Sequence, residues 1–264
     1  MSTTVPAPAP ARTPARPARP SVKAAWSWEN RKSGNRWYWP VVVLVCALGL
    51  AAGSWQYVSY AEVFASQGLT WEAIWVQSLQ MPGLLFLPLA CGALVAQTSA
   101  AEHEGRSWQR MRANGLAGAL VAGKLLHNLQ VAALTCAIFY LEVAAVGLYL
   151  GFNPTWLLAA LPRLGVMSLG TWAVLTFTTW LGLVIRSFSG VMTTVITGSV
   201  ASFGLLLAKP LMPLSPMALI TWCGSYLDPR SITSAGSVAM AGIVALVWGG
   251  LMSLAIRRAV RRQS

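Results

Sequence analysis

Beyond residue 40 the chain is a succession of long apolar runs separated by short polar, glycine- or proline-containing stretches. A bilayer core about 30 Å thick requires about 20 apolar residues in helical form. Six stretches meet or approach that length: 41–60, roughly 78–99, about 125–150, about 163–185, near 190–208 and near 236–256. Pro82 and Pro88 fall within the second and predict a kink there. Gly34 and Pro40 punctuate the approach to the first, and Gly151, Asn153 and Pro154 close the third. The pattern predicts an all-α polytopic membrane protein with a six-helix transmembrane domain over 41–256.

Composition agrees. Of 264 residues 56% are hydrophobic and 10% charged, whereas soluble domains carry about 25% charged residues. The mean hydropathy is +0.58. These values exclude an ordinary soluble enzyme, a disordered protein and a disulfide-rich secreted scaffold. Cys46, Cys91 and Cys136 lie in apolar runs, where Cys behaves as a small hydrophobe. No C-x-x-C spacing occurs and His is limited to His103 and His127, so no metal site is expected.

The flanking segments are polar in different ways. Residues 1–22, rich in Pro and Ala with Arg12, Arg16 and Arg19, are expected to form a disordered cytoplasmic tail, and they lack the apolar core of a signal peptide. Residues 23–40 mix Trp and Tyr with Lys, Arg and Glu29, which predicts an amphipathic segment on the membrane surface. Residues 257–264 form a basic C-terminus.

Charge orients the six segments. With both termini in the cytoplasm, 16 of the 19 Lys and Arg residues lie inside, leaving Arg163, Lys209 and Arg230 outside; the positive-inside rule selects this topology. The expected location is the cell membrane (a bacterial inner membrane), with the lipid bilayer as an obligate partner. Trp26, Trp28, Trp37, Trp39, Trp55, Trp71, Trp75, Trp156 and Trp222 fall near the expected interfaces, where indoles favour the headgroup level. Trp beside basic residues can also stack nucleobases, but the membrane setting argues against nucleic acid. The connection 209–235 is too apolar for a solvated loop and is expected to dip into the membrane as a short helix, shielded by protein.

Several motifs point to other chemistry without completing it. Residues 118–125 match G-x-x-x-x-G-K, but Leu125 stands where a phosphate-binding loop needs Ser or Thr, and the context is a membrane helix rather than a strand. Their small residues are expected to permit close helix packing. Glu102-His103-Glu104 point in different directions on a helix and do not form a ligand set. Too few ionisable groups lie in the apolar runs to assign catalysis. Gly49-x-x-x-Gly53 and Gly147-x-x-x-Gly151 allow close backbone approach, within the chain or between copies.

The segment 102–124 carries most information. Its charged residues cluster in the first half, with Trp108 and Met111 on one face, a pattern that fits either a short amphipathic helix or a solvated loop. Here the chain resembles the membrane subunits of ABC-2 type exporters, especially permeases of lantibiotic or bacteriocin immunity transporters. In that family a Glu ends the second helix, a short cytoplasmic helix with a Trp follows, and a Lys opens the third; Glu102, Trp108 and Lys124 look like those positions. The resemblance covers roughly 37–258. Gly115 and Gly118 stand where the family often has Pro and then Arg.

The resemblance implies a permease subunit that is itself no enzyme and binds no cofactor. ATP and Mg would be held by a separate ABC ATPase subunit. It implies contacts to that ATPase from Glu102, Glu104, Arg106, Trp108, Arg110 and Lys124 on a cytoplasmic coupling helix, and a second permease subunit, identical or different. The expected cargo is a peptide antibiotic, a lipid-like molecule or a drug, which links the chain to antibiotic resistance. Glu142, the one acid deep in an apolar run, together with His127 and Asn128, are the candidate translocation-path residues. Glu142 reads equally as a packing residue, since a charge at a helix centre costs about 2.5–3.5 kcal/mol. The alternatives are an ion-coupled secondary transporter, with Glu142 as the ion site, or a membrane structural or assembly factor.

Overall fold

A computed structural model describes residues 21–32, 36–105, 114–225 and 227–262. Helix α1 (Val22–Lys32) precedes α2 (Tyr38–Ser59) and the short α3 (Ala61–Ser66). Helix α4 (Trp71–Met81) continues through a π-helical turn at Pro82–Phe86 into α5 (Leu87–Glu104). Then follow α6 (Ala117–Tyr149), α7 (Thr155–Val184), α8 (Phe188–Gly204), the five-residue α9 (Leu219–Cys223) and α10 (Ala235–Arg262). No strand occurs among the described residues. Among them, six helical units are long and apolar enough to cross a membrane, and the chain is a multi-pass membrane protein of the all-helical class.

The second span is longer than its apolar run, Trp71–Glu104 rather than 78–99. Pro82 cannot donate to the preceding turn, and the wider turn at Pro82–Phe86 accommodates that loss without ending the helix. The bundle is tied by close approaches. A Cβ on Gly49 would lie 2.3 Å from the Pro82 ring, and one on Gly53 2.4 Å from Ser78 Oγ, so this small-residue pair seats α2 against the second span. Gly147 leaves room for the Trp71 ring in the same way. These packings lie within one chain.

Helix α7 is the hub, packing against α5, α6, α9 and α10. It begins at Thr155, ahead of the apolar run expected near 163, and Arg163 lies inside it. Arg163, expected on the outer side at the start of the fourth span, has a fully buried side chain. The guanidinium donates to Ile232 O at 2.9 Å, Cys223 O at 3.1 Å, Ser231 O at 2.6 Å and Ser237 Oγ at 2.9 Å. The three carbonyls belong to the connection between α8 and α10, and Ser237 lies in the first turn of α10. That connection contains 3-10 turns at Leu205–Leu214 and Pro216–Ala218, then α9, with Met217, Leu219, Ile220 and Cys223 buried.

A short, irregular segment leaves backbone carbonyls without helical partners, and apolar surroundings offer no water to satisfy them. Three long side chains supply the donors. Trp75 Nε1 donates to Gly224 O at 2.8 Å and Trp248 Nε1 to Pro213 O at 2.8 Å, beside the Arg163 fork. Trp71 and Trp75 are thus buried inside the protein, each indole N–H meeting a carbonyl of the chain (Asn153 O for Trp71, 2.8 Å). Trp71 also stacks on Trp156, with ring centroids 5.5 Å apart.

Arg163→Met should destabilise the detergent-solubilised protein by several kcal/mol, since each buried carbonyl left without a donor costs about 1–3 kcal/mol. Arg163→Lys should recover little, because an ammonium cannot reproduce the planar fork. Thermal unfolding checks the first point. Faster maleimide labelling of the buried Cys223 checks that the loss is local to the connection.

Candidate functional site

The described charged groups gather most densely where α1, the end of α5 and the start of α6 meet. Glu102 lies in the last turn of α5 and is 2% exposed; Lys124 lies on α6 at 6%, and Glu29 on α1 at 3%. Glu102 Oε1 accepts from Lys124 Nζ at 2.6 Å and from Lys32 Nζ. Lys124 also donates to Glu29 Oε2 at 3.1 Å. The order Lys32–Glu102–Lys124–Glu29 alternates in sign, so each inner member faces two opposite charges and the cluster is formally neutral.

Local sequence explains the meeting. Gly123 carries no side chain, and a Cβ there would lie 2.7 Å from Ala25 Cβ, so α1 approaches α6 closely at this point. Trp26 Nε1 donates to Gln130 Oε1 at 2.9 Å, fixing the same contact farther along α6. On the other flank, His103 Nε2 donates to Gly182 O at 2.8 Å, binding the end of α5 to the end of α7. Both flanks of the 102–124 segment are thus anchored to the helical bundle.

The phosphate-loop look-alike is resolved here as packing. Residues 117–124 are helical, Gly123 receives α1, and Lys124 is engaged by two carboxylates rather than free for a phosphate. Among the described residues no group of three His, Cys, Asp or Glu side chains converges as a metal site.

The structure brings together only some of the residues singled out from sequence. Glu102 and Lys124 are paired, while Glu104 ends α5 exposed. Arg106, Trp108 and Arg110 lie outside the described residues, as does nearly all of the 1–22 tail. His127 borders a cavity of about 220 Å3 with Asn30, Tyr38 and Gln130. Asn128 points elsewhere, donating to Thr179 Oγ1 at 2.9 Å and so joining α6 to α7. Glu142 lies about 27 Å from Lys124 along α6, at 1.5 Å per residue. It borders a separate crevice of about 530 Å3 with Ser54, Leu50 and Tyr149.

No family model and no curated protein matches this chain. The functional reading therefore rests on geometry and on the residues themselves.

Glu29 and Lys32 were read only as parts of an amphipathic segment. One signal existed for Glu29: it is the only acid before Glu62, in a stretch otherwise rich in Arg and Lys. A lone acid that survives among cations on a membrane-surface helix has a specific cation to meet.

Removing one member, as in Glu102→Ala, should cost about 3–5 kcal/mol by leaving a buried charge uncompensated. The exchange Glu102→Lys with Lys124→Glu should not restore stability. It would set a cation against Lys32 and an anion against Glu29, whereas an isolated pair would tolerate the exchange. Melting temperatures of the single and exchanged variants in one detergent distinguish a four-member chain from a simple pair.

Proposed function

We propose that this protein is the membrane-spanning permease subunit of an ABC exporter, energised by a separate ATPase subunit. The observation that carries the reading is the buried chain Lys32–Glu102–Lys124–Glu29, which locks α1, α5 and α6 together at the base of the 102–124 segment. A segment held at both roots transmits a push to the helices that bear it; one on loose roots would dissipate it. The basic end of the bundle faces the cytoplasm on this reading, as the distribution of Lys and Arg requires. Glu104, Arg106, Trp108 and Arg110 then meet the ATPase, where ATP and Mg are bound. Two permease subunits enclose the path, and the cargo is a peptide antibiotic, a lipid-like molecule or a drug moved outward.

The chain's own residues support a mechanical rather than a chemical role. Its densest described charges neutralise one another, and Lys124 is held by carboxylates. ATP-driven closure of the partner would displace 102–124, and the charge chain would carry that displacement into α5, α6 and α1 as one body.

A second reading, an ion-coupled secondary transporter, draws on Glu142. Its Oε2 is buried without a hydrogen-bond partner among the described residues, and Ser54 Oγ, in the same condition, borders the same crevice. Such a carboxyl could take a proton or sodium ion.

The purified chain should hydrolyse no ATP and should co-purify with an ATPase subunit. Trp108→Ala should reduce that co-purification and uncouple transport from hydrolysis about tenfold, the loss of roughly 1.4 kcal/mol at one contact, without lowering the melting temperature. Transport by the lone chain in vesicles under an ion gradient, abolished by Glu142→Gln, would select the second reading instead. Labelling of a tag placed at 106–113 from the cell exterior would overturn the orientation.

A further inference from the structure

A recess of about 470 Å3 opens between the ends of α7 and α10 at the basic end of the bundle. Arg186, just beyond α7, and Arg258 and Arg262 on α10 line it, with Trp180, Leu183 and Ala259 among the other lining residues. Arg258 and Arg262 are four residues apart and share one face of α10. Ala259 and Ala255 on that side are small, and this is what leaves the space beside Leu183 and Val184. Among the described residues no carboxylate lines it.

We infer that this recess is a binding site for the phosphodiester headgroup of an anionic phospholipid. Its two halves match the two halves of such a lipid. The guanidinium groups offer planar, paired donors suited to phosphate oxygens. The apolar wall of Leu183, Val184 and the two Ala residues continues toward the membrane-spanning part of both helices, where an acyl chain lies. Trp180, one turn deeper along α7 than Leu183 and Val184, closes the apolar wall at its inner end. The carbonyl ends of α7 and α10 contribute some negative potential here, but three full positive charges outweigh those partial ones. Basic pockets between spanning helices are a recognised form of anionic headgroup site. An acidic protein surface would meet the Arg residues equally well but would leave the apolar wall unfilled at acyl depth. The inference does not depend on the exporter reading, since it requires only the membrane-spanning bundle.

The test is native mass spectrometry of the full chain released from detergent after exchange into mixed phosphatidylglycerol and phosphatidylcholine. The wild type should retain phosphatidylglycerol in preference to phosphatidylcholine. Arg258→Gln with Arg262→Gln should weaken that retention by about five-fold for each charge removed. Arg257→Gln with Arg261→Gln, on the same helix end and equal in charge, should weaken it far less. Ala259→Leu, which fills the recess without changing charge, should reduce lipid retention but leave binding of inorganic phosphate untouched; this separates a lipid from a free anion. Equal losses in the two Arg pairs would mean that net charge alone attracts the lipid, and would overturn the site. So would equal retention of phosphatidylcholine, or inorganic phosphate binding as strongly as phosphatidylglycerol. An unchanged lipid count with loss of a co-purifying ATPase would reassign the recess to a protein contact. Should the double variant fail to fold, Arg186→Gln alone, beyond the end of α7, decides between the same outcomes.

Discussion

The structure is governed by the absence of water around most of its surface. In an apolar medium each unmatched N–H, carbonyl or charge costs far more than it would in a solvated loop. Helices satisfy their own backbones, so the difficulty concentrates wherever the chain stops being helical and wherever a charged side chain is retained. Both problems are met by matching inside the protein. At one end, Arg163, Trp75 and Trp248 donate to carbonyls of the connection between α8 and α10. At the other, two Lys and two Glu residues neutralise each other in an alternating row.

The two solutions differ in what they hold. The Arg163 fork grips mainly backbone: three of its bonds fix the path of a segment with little regular structure of its own, and a fourth ties it to Ser237 on α10. The Lys–Glu chain grips side chains on three separate helices, and it fixes helices relative to one another rather than the course of a loop. Buried ion pairs often contribute little net stability over apolar substitutes, yet breaking one is costly. Their effect is to make one arrangement of α1, α5 and α6 far better than its neighbours. A bundle whose outer faces are greasy needs such a device, because Leu against Leu discriminates weakly between registers.

Much of this was legible along the chain, and what was not has a physical cause. The six spans follow from apolar length alone, and Pro82 marks the irregular, π-helical turn inside the second. The apolar 209–235 stretch correctly signalled a short buried helix, since MALITW could not face water. That Arg163 is buried was not legible, because a cation at the end of a span ordinarily faces water; only the fold shows that its partners are the carbonyls of Cys223, Ser231 and Ile232 with the Ser237 hydroxyl. The burial of Trp71 and Trp75 was equally hidden, because an indole that seeks one acceptor finds it as readily in a neighbouring loop as in a headgroup. Glu102 and Lys124 were singled out by family resemblance, but their union with Glu29 and Lys32 was not, because pairing across some 70 to 95 residues leaves no periodic trace.

Helix α6 joins these themes, and its length gives them mechanical meaning. It runs unbroken from Ala117 to Tyr149, about 50 Å at 1.5 Å per residue, with Lys124 near one end and Gly147 seated on Trp71 near the other. A helix pinned at both ends moves as a rod, so displacement of its charged base tilts or slides its far end rather than bending its middle. Along that rod the polar groups are not equally settled: Lys124 and Asn128 have partners, whereas Glu142, which borders a crevice with Ser54, keeps Oε2 buried without a hydrogen bond among the described residues. The matched end suits transmission, and the unmatched end is where a moving rod would alter what a carboxyl can reach. If displacement of the 102–124 segment is the input to this protein, the α2–α6 crevice at Glu142 is where α6 would deliver it.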